Sequence, residues 1–297
     1  MAKASAAAPS APPPWVEEIP FKSESAYLCM IVNRRIGLIR VIDFRAGALP
    51  AKRLFIQNVA KREGIEKVIL LVEKDEVSSW TRVGFVREGQ VPGFYKRSDG
   101  HLVGCVIGER TASVEVGEEG QRNAERTINL AKKNGPNVPE RTPGVSVAEM
   151  DEPDALKVRD DLWKKGRGLS GFDAFGREAE RMYVEVTPRK GKPNVLSAEF
   201  QDCFGHALLE ILRSPEGDSE AASVCAGLRN MSETLKERGI VSAFAFAPAD
   251  DVMLTGIYLS AGFRKTGLLA GGVPGPSGRR DAILWTRKLA NPAGEEE

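Results

Sequence analysis

Two stretches decide the reading of this chain: AKREGIEKVILLVEKDEVSSWTRVGFVREG at residues 60–89 and LKERGIVSAFAFAPADDVMLTGIYLSAGFRKTG at 235–267. Each runs from a helix end into Gly-Ile, then an apolar strand, an acidic helix start, an aromatic residue, Gly-Phe and a strand closing on Gly. Gly64 and Gly239 stop the helices, as glycine does at a helix C-terminus. The run 67–72 is almost wholly apolar, which suits a strand covered on both faces, and 240–247 reads as its counterpart strand. A shared order over about 30 residues points to an internal duplication.

Working outward, residues 26–33 and 36–44 read as strands joined by a turn at 33–35, and Pro50 opens a helix where its missing N–H costs nothing. Strands follow near 85–95 and 101–107. Residues 111–144 are rich in Glu, Arg, Lys, Asn, Gly and Pro, and only 123–133 could be helical, so they read as a linker. In the second half, 152–165 reads as a helix and 182–187, 195–202 and 206–212 as consecutive strands. A long helix spans 219–238, and further strands lie at 240–247, 263–273 and 281–289 around a short helix at 251–261. The resulting division is a disordered tail at 1–22, a first unit at 23–110, the linker, a second unit at 145–290 and a polar tail at 291–297.

The element order of both halves resembles the GNAT acetyltransferases. The pairing of a partial unit with a complete one resembles the β-lysine N-acetyltransferase family. GFVREGQVPGFYKRSDG (84–100), AEFQDCFG (198–205), GFRKTGLL (262–269) and RRDAILWTRKL (279–289) are similar to stretches of that family. The fold class implied is α/β (α+β, GNAT-like), with two tandem units whose mixed sheets are flanked by helices. The function implied is acetyl-CoA-dependent N-acetyl transfer to a small amine or amino acid.

Such a reaction needs a seat for the CoA pyrophosphate, a place for the amine and an acid for the departing thiolate. The resemblance puts the seat before the long helix, at Leu212, Gly217, Ser219, Ala221 and Ala222. The family's glycine-rich signature is absent there. Glu216, Asp218 and Glu220 crowd the one glycine, and like charges a few ångströms apart oppose one another. Asp218 or Ser219 is also a ready N-cap that would consume helix donors. The basic loop at 45–53 in the first unit is a second anion seat, weakened by Pro50. Tyr258, four residues before Gly262, stands where many GNATs carry the acid. Trp80 stands at the same spacing before Gly84 and has no acidic proton to give. Glu199 and His206 are candidates for receiving the amine's proton, with Asp202, Glu185 and Asp281 behind them. Glu199 and Asp202 are three apart on a strand, so only one of them can face the site.

The acidic loop keeps a second reading open: a pseudo-acetyltransferase that retains the fold, has lost CoA and binds a protein partner or small ligand. The 297 residues carry a net charge of +1, which gives no general drive toward nucleic acid or an anionic membrane. No run of 18 apolar residues suggests a membrane span. Cys29, Cys105, Cys203 and Cys225 form no C-x-x-C pair and read as reduced, structural thiols of a cytoplasmic protein. Metal-ligand spacing is not seen, and a homodimer is compatible with the sequence.

Overall fold

The computed structural model describes residues 13–24, 27–43, 47–108, 114–134, 138, 144–201 and 204–290. Its strands form a single mixed sheet. The first half supplies β1 (Val16–Lys22), β2 (Tyr27–Asn33), β3 (Leu38–Asp43), β4 (Lys67–Val72), β5 (Val86–Val91) and β6 (Gly100–Val106), with helices α1 (Leu49–Arg62) and α2 (Val77–Arg82). A long helix α3 (Glu118–Asn134) follows. The second half supplies β7 (Ser146–Met150), α4 (Glu152–Lys164), β8 (Glu180–Thr187), β9 (Asn194–Phe200), β10 (His206–Ile211), α5 (Asp218–Glu237), β11 (Ser242–Pro248), α6 (Val252–Ser260), β12 (Arg264–Gly275) and β13 (Gly278–Lys288).

The sheet order is β1-β2-β3-β4-β6-β5-β12-β13-β11-β10-β9-β8-β7. Read from its middle, the sheet repeats itself: β5, β6, β4 and β3 on one side match β12, β13, β11 and β10 on the other. Each half has one parallel pair, β3 with β4 and β10 with β11. The neighbouring pairs are antiparallel. The chain thus adopts a mixed α/β fold, two matching units in one large mixed sheet flanked by helices.

Strand alternation sorts the core. Val68, Leu70 and Val72 of β4 pack with Ile56, Val59 and Ala60 of α1 and Trp80 of α2. Ala243, Ala245 and Ala247 of β11 pack with Leu228 and Met231 of α5 and Ile257 of α6. The alternate residues, Ile69 and Leu71 in the first half and Leu208, Phe244 and Leu284 in the second, share a third cluster. The helix-free face of the sheet thus closes on itself, half against half. Arg279 ties the closure: its guanidinium donates to the carbonyls of Ile36 (2.6 Å), Gly37 (2.8 Å) and Gly272 (3.1 Å).

Two expectations need correction. Residues 16–22, read as part of a disordered tail, form the edge strand β1. Ile19 and Phe21 alternate onto the core beside α1, Phe21 lies 4.7 Å from the Phe55 ring, and an edge strand tolerates Pro20. The region read as a linker contains the 17-residue helix α3. Ala124 is buried against the core shared with α5 and α6, and Thr127 and Ala131 are buried on the same helix. Three small buried residues make a weak hydrophobic stripe, so this amphipathic helix reads as polar. Asp202, Cys203, the segment 44–46 and the tail from 291 lie outside the described residues.

Candidate active site

The parallel strands β10 and β11 pair at His206–Ser242, Ala207–Ala243 and Leu208–Phe244, and then part. Leu209, Glu210 and Ile211 keep their β9 partners but have none on β11. A cavity of about 100 Å³ opens at this parting. Both faces of β10 line it: Leu208 and Glu210 from the closed face, Leu209 and Ile211 from the helix face. The cavity therefore passes through the sheet.

Tyr258 of α6 reaches it from the helix side. The α6 helix is set by Asp251, whose side chain accepts from the Leu254 amide, a side-chain N-cap. The Tyr258 ring is stacked on Trp285 at 5.8 Å and lies edge-on to Phe263. Its residue is 2% exposed, and no protein partner is found for its hydroxyl among the described residues. Burial, with the Glu210 and Asp251 carboxylates behind it, pushes its pKa above the usual phenol value. The hydroxyl is protonated at neutral pH.

On the closed side, Glu210 is one of the polar groups of the wall. Arg181 Nη1 donates to its Oε2 at 2.6 Å, the Ser197 hydroxyl donates to the same oxygen at 3.3 Å, and the Ser170 hydroxyl holds Oε1 at 2.5 Å. Three held contacts of this kind give a carboxylate one orientation. Asp173 lines the same cavity and is paired with Arg35 at 3.0 Å, and burial raises its pKa. Asn33 and Arg40 of the first half complete the wall, so both units build this site.

The other sequence candidates fall elsewhere. Glu199 does not line the cavity: it accepts from the amides of Phe175 (2.9 Å) and Gly176 (2.5 Å) and is ion-paired with Arg181. It shapes the loop that roofs the site. His206 is stacked on Phe94 at 3.6 Å, its Nδ1 lies 3.0 Å from the Phe94 carbonyl, and burial lowers its pKa to about 3. It is neutral, and it lines a different cavity. Sequence reasoning missed Glu210, although a single carboxylate inside HALLEI was a usable signal.

The loop before α5 also differs from expectation. Neither Asp218 nor Ser219 is the N-cap; both lie in the first helical turn. The cap is Gly217, in extended backbone at φ −179°, with no side-chain cap bond. Glu220 turns back to accept from the Glu216 amide at 3.0 Å and the Lys192 amide at 2.8 Å. Its charge does not face outward. Burial alone would raise its pKa, but the Arg213 guanidinium at 2.8 Å and the two amides hold it down at about 2. Glu216 is paired with Lys192 at 3.0 Å. Two of the three carboxylates are thus neutralised, and no acceptor is found among the described residues for the amides of Asp218, Ser219 and Glu220. Ser219 accepts from the Lys190 amide at 3.2 Å, while Leu212 and Ala221 are fully buried and Ala222 packs on the core.

No family model matches this chain, and no curated protein matches it. Solved structures do. The ribosomal-protein-S18-alanine N-acetyltransferase from Escherichia coli is 16% identical over 52% of this chain and 99% of its own, with a TM-score of 0.37. The spermidine N-acetyltransferase from Vibrio cholerae, solved with CoA and spermine, is 9% identical over 50% of this chain and 98% of its own, with a TM-score of 0.38. At such identities the likeness concerns the fold alone. Among the described residues no helix is long and apolar enough to cross a membrane, and no group of His, Cys, Asp and Glu could hold a metal ion.

Proposed function

We propose that this chain is an acetyl-CoA-dependent N-acetyltransferase acting on a small amine or amino acid, with its catalytic residues in the unit at 145–290. One observation carries the reading: the cavity crosses the sheet where β10 and β11 part, and Tyr258 and Glu210 line it together.

The residues present fit a CoA thioester. Unpaired β10 backbone at Leu209–Ile211 is an edge on which an extended amide chain can be held. The uncapped first turn of α5 suits an anion, since a helix N-terminus presents free donors and a favourable dipole. Gly217 has open space where a Cβ would stand. When bound, acetyl-CoA supplies the acetyl group as a thioester.

The chain's own residues do the rest. The cavity's volume suits the reacting ends of two ligands, which raises their effective concentration. Glu210, fixed by Arg181, Ser170 and Ser197, orients the amine, which attacks in its neutral form after losing its proton to solvent. Tyr258 holds at Oη the proton that a departing sulfur requires, and burial keeps it there. The first unit has no such acid: its counterpart is Trp80, 1% exposed in the core beside α1.

The reading is tested by acetyl transfer from acetyl-CoA to a panel of polyamines, amino acids and peptide N-termini. Turnover that Tyr258→Phe lowers supports it. Failure both to bind CoA and to transfer acetyl to any amine would leave the scaffold reading in its place.

A further inference from the structure

The first half has a parting of its own. β3 and β4 pair from Leu38–Lys67 to Val41–Leu70 and then separate, leaving Ile42 and Asp43 without β4 partners. A second cavity, about 450 Å³, opens there. Its walls repeat those of the first. Aligning Gly64 with Gly239 and Gly89 with Gly267 sets Leu71 opposite Phe246 and Tyr95 opposite Val273, and each of these lines its own cavity. The chemistry differs. On the helix side, Lys52 of α1, fully buried, is bound to both oxygens of Asp43 at 2.7 and 2.8 Å. That ion pair holds the Asp43 carboxylate of the cavity wall on a cation of its own.

Arg40 is the unusual group in its wall. The residue is 9% exposed, Nη1 donates to the Phe175 carbonyl at 2.5 Å, and Nε is buried with no partner. It forms no ion pair among the described residues, although Glu199 lies near enough to be felt. Its guanidinium lies 3.9 Å above the Phe175 ring. Buried cations are ordinarily paired, because an uncompensated charge is costly to desolvate. The rest of the wall includes the rings of Phe94, Tyr95 and Phe204, neutral His206, and Arg177, which is partly exposed and paired with Glu18 at 3.0 Å. Its carboxylates are Asp43, already paired, and Glu178, exposed at the rim.

We propose that this second cavity binds a small monocarboxylate with an apolar or aromatic body, its carboxylate on Arg40, and that no acetyl transfer occurs there. A single buried cation matches a monoanion, and three aromatic rings match an apolar body.

Phenylacetate and its neutral isostere phenylacetamide test this on the full chain by thermal denaturation and calorimetry. The expected result is a saturable rise in Tm with phenylacetate and none with the amide. Arg40→Met, whose methionine fills the same space without charge, abolishes the rise while keeping the native circular dichroism spectrum. Arg40 also lines the first cavity, so two rim variants assign the site. Gln201→Trp, which blocks the second cavity, removes the response, and Ala174→Trp, at the rim of the first, keeps it. Should Arg40→Met fail to fold, the rim pair decides alone. Equal shifts with acid and amide, a response to inorganic phosphate in place of the acid, loss in Ala174→Trp but not Gln201→Trp, or no shift at all would overturn the proposal.

Discussion

Gly89 and Gly267 pair with each other at the junction of the two halves, and each closes one of the two matching sequence stretches. A residue and its counterpart thus meet at the centre of the sheet. A Cβ on Gly267 would stand 2.4 Å from the Glu88 carbonyl oxygen and 2.7 Å from the Gly89 Cα. Only a residue without a side chain admits this approach of backbone to backbone.

Gly267→Ala should therefore weaken the joint between the halves. Overpacking of this kind costs roughly 1–3 kcal/mol. Urea denaturation measures it as a lowered midpoint, and Gly217→Ala, where the space is open, is the control with little change.

Tyr258→Phe removes one hydroxyl and keeps the ring stacked on Trp285. General acid catalysis contributes about 10²–10⁴-fold, and kcat should fall within that range while the Kd for CoA stays put. Steady-state kinetics and calorimetry on the same preparation separate the two.

Glu210→Gln should raise KM for the amine and lower kcat/KM by about 10–100-fold, the equivalent of one hydrogen bond to a charged group. An uncharged hydroxyl analogue of the amine, used as a competitive inhibitor, should lose far less affinity.

The Arg213–Glu220 pair should be visible as acid sensitivity. The folded pKa of about 2 lies below the roughly 4.3 of an unfolded Glu. A depressed carboxylate contributes its stability above the unfolded value and loses it as pH falls toward 2. Arg213→Ala leaves a buried carboxylate unpaired, which costs about 3–5 kcal/mol at neutral pH. The variant's stability should then no longer decline across that acid window, which denaturant midpoints from pH 6 to pH 2.5 would show.

Much of this fold is legible in the chain because glycine punctuation and apolar runs are local signals. Gly64, Gly84, Gly239 and Gly262 all take positive φ at their turns, as their positions in the two stretches suggest. Tyr258 is legible too, since its place depends only on spacing before Gly262. Glu199 and Glu210 are not distinguishable from sequence. Both sit on neighbouring strands, and their roles are decided by the loop at 165–179, whose Ser170, Phe175 and Gly176 choose which carboxylate to bind. That loop's course is set by tertiary contacts to Arg40 and Arg181. The same holds for Glu216 and Glu220, whose charges are cancelled by Lys192 and Arg213 from outside the helix.

The most direct test of the central claim is calorimetric titration of the intact chain with CoA. The account expects one site per chain, in the gap between β10 and β11, and loss of that binding in Leu209→Trp, which fills the gap from the helix side. Absence of heat at millimolar CoA, or binding unchanged by Leu209→Trp, would contradict it.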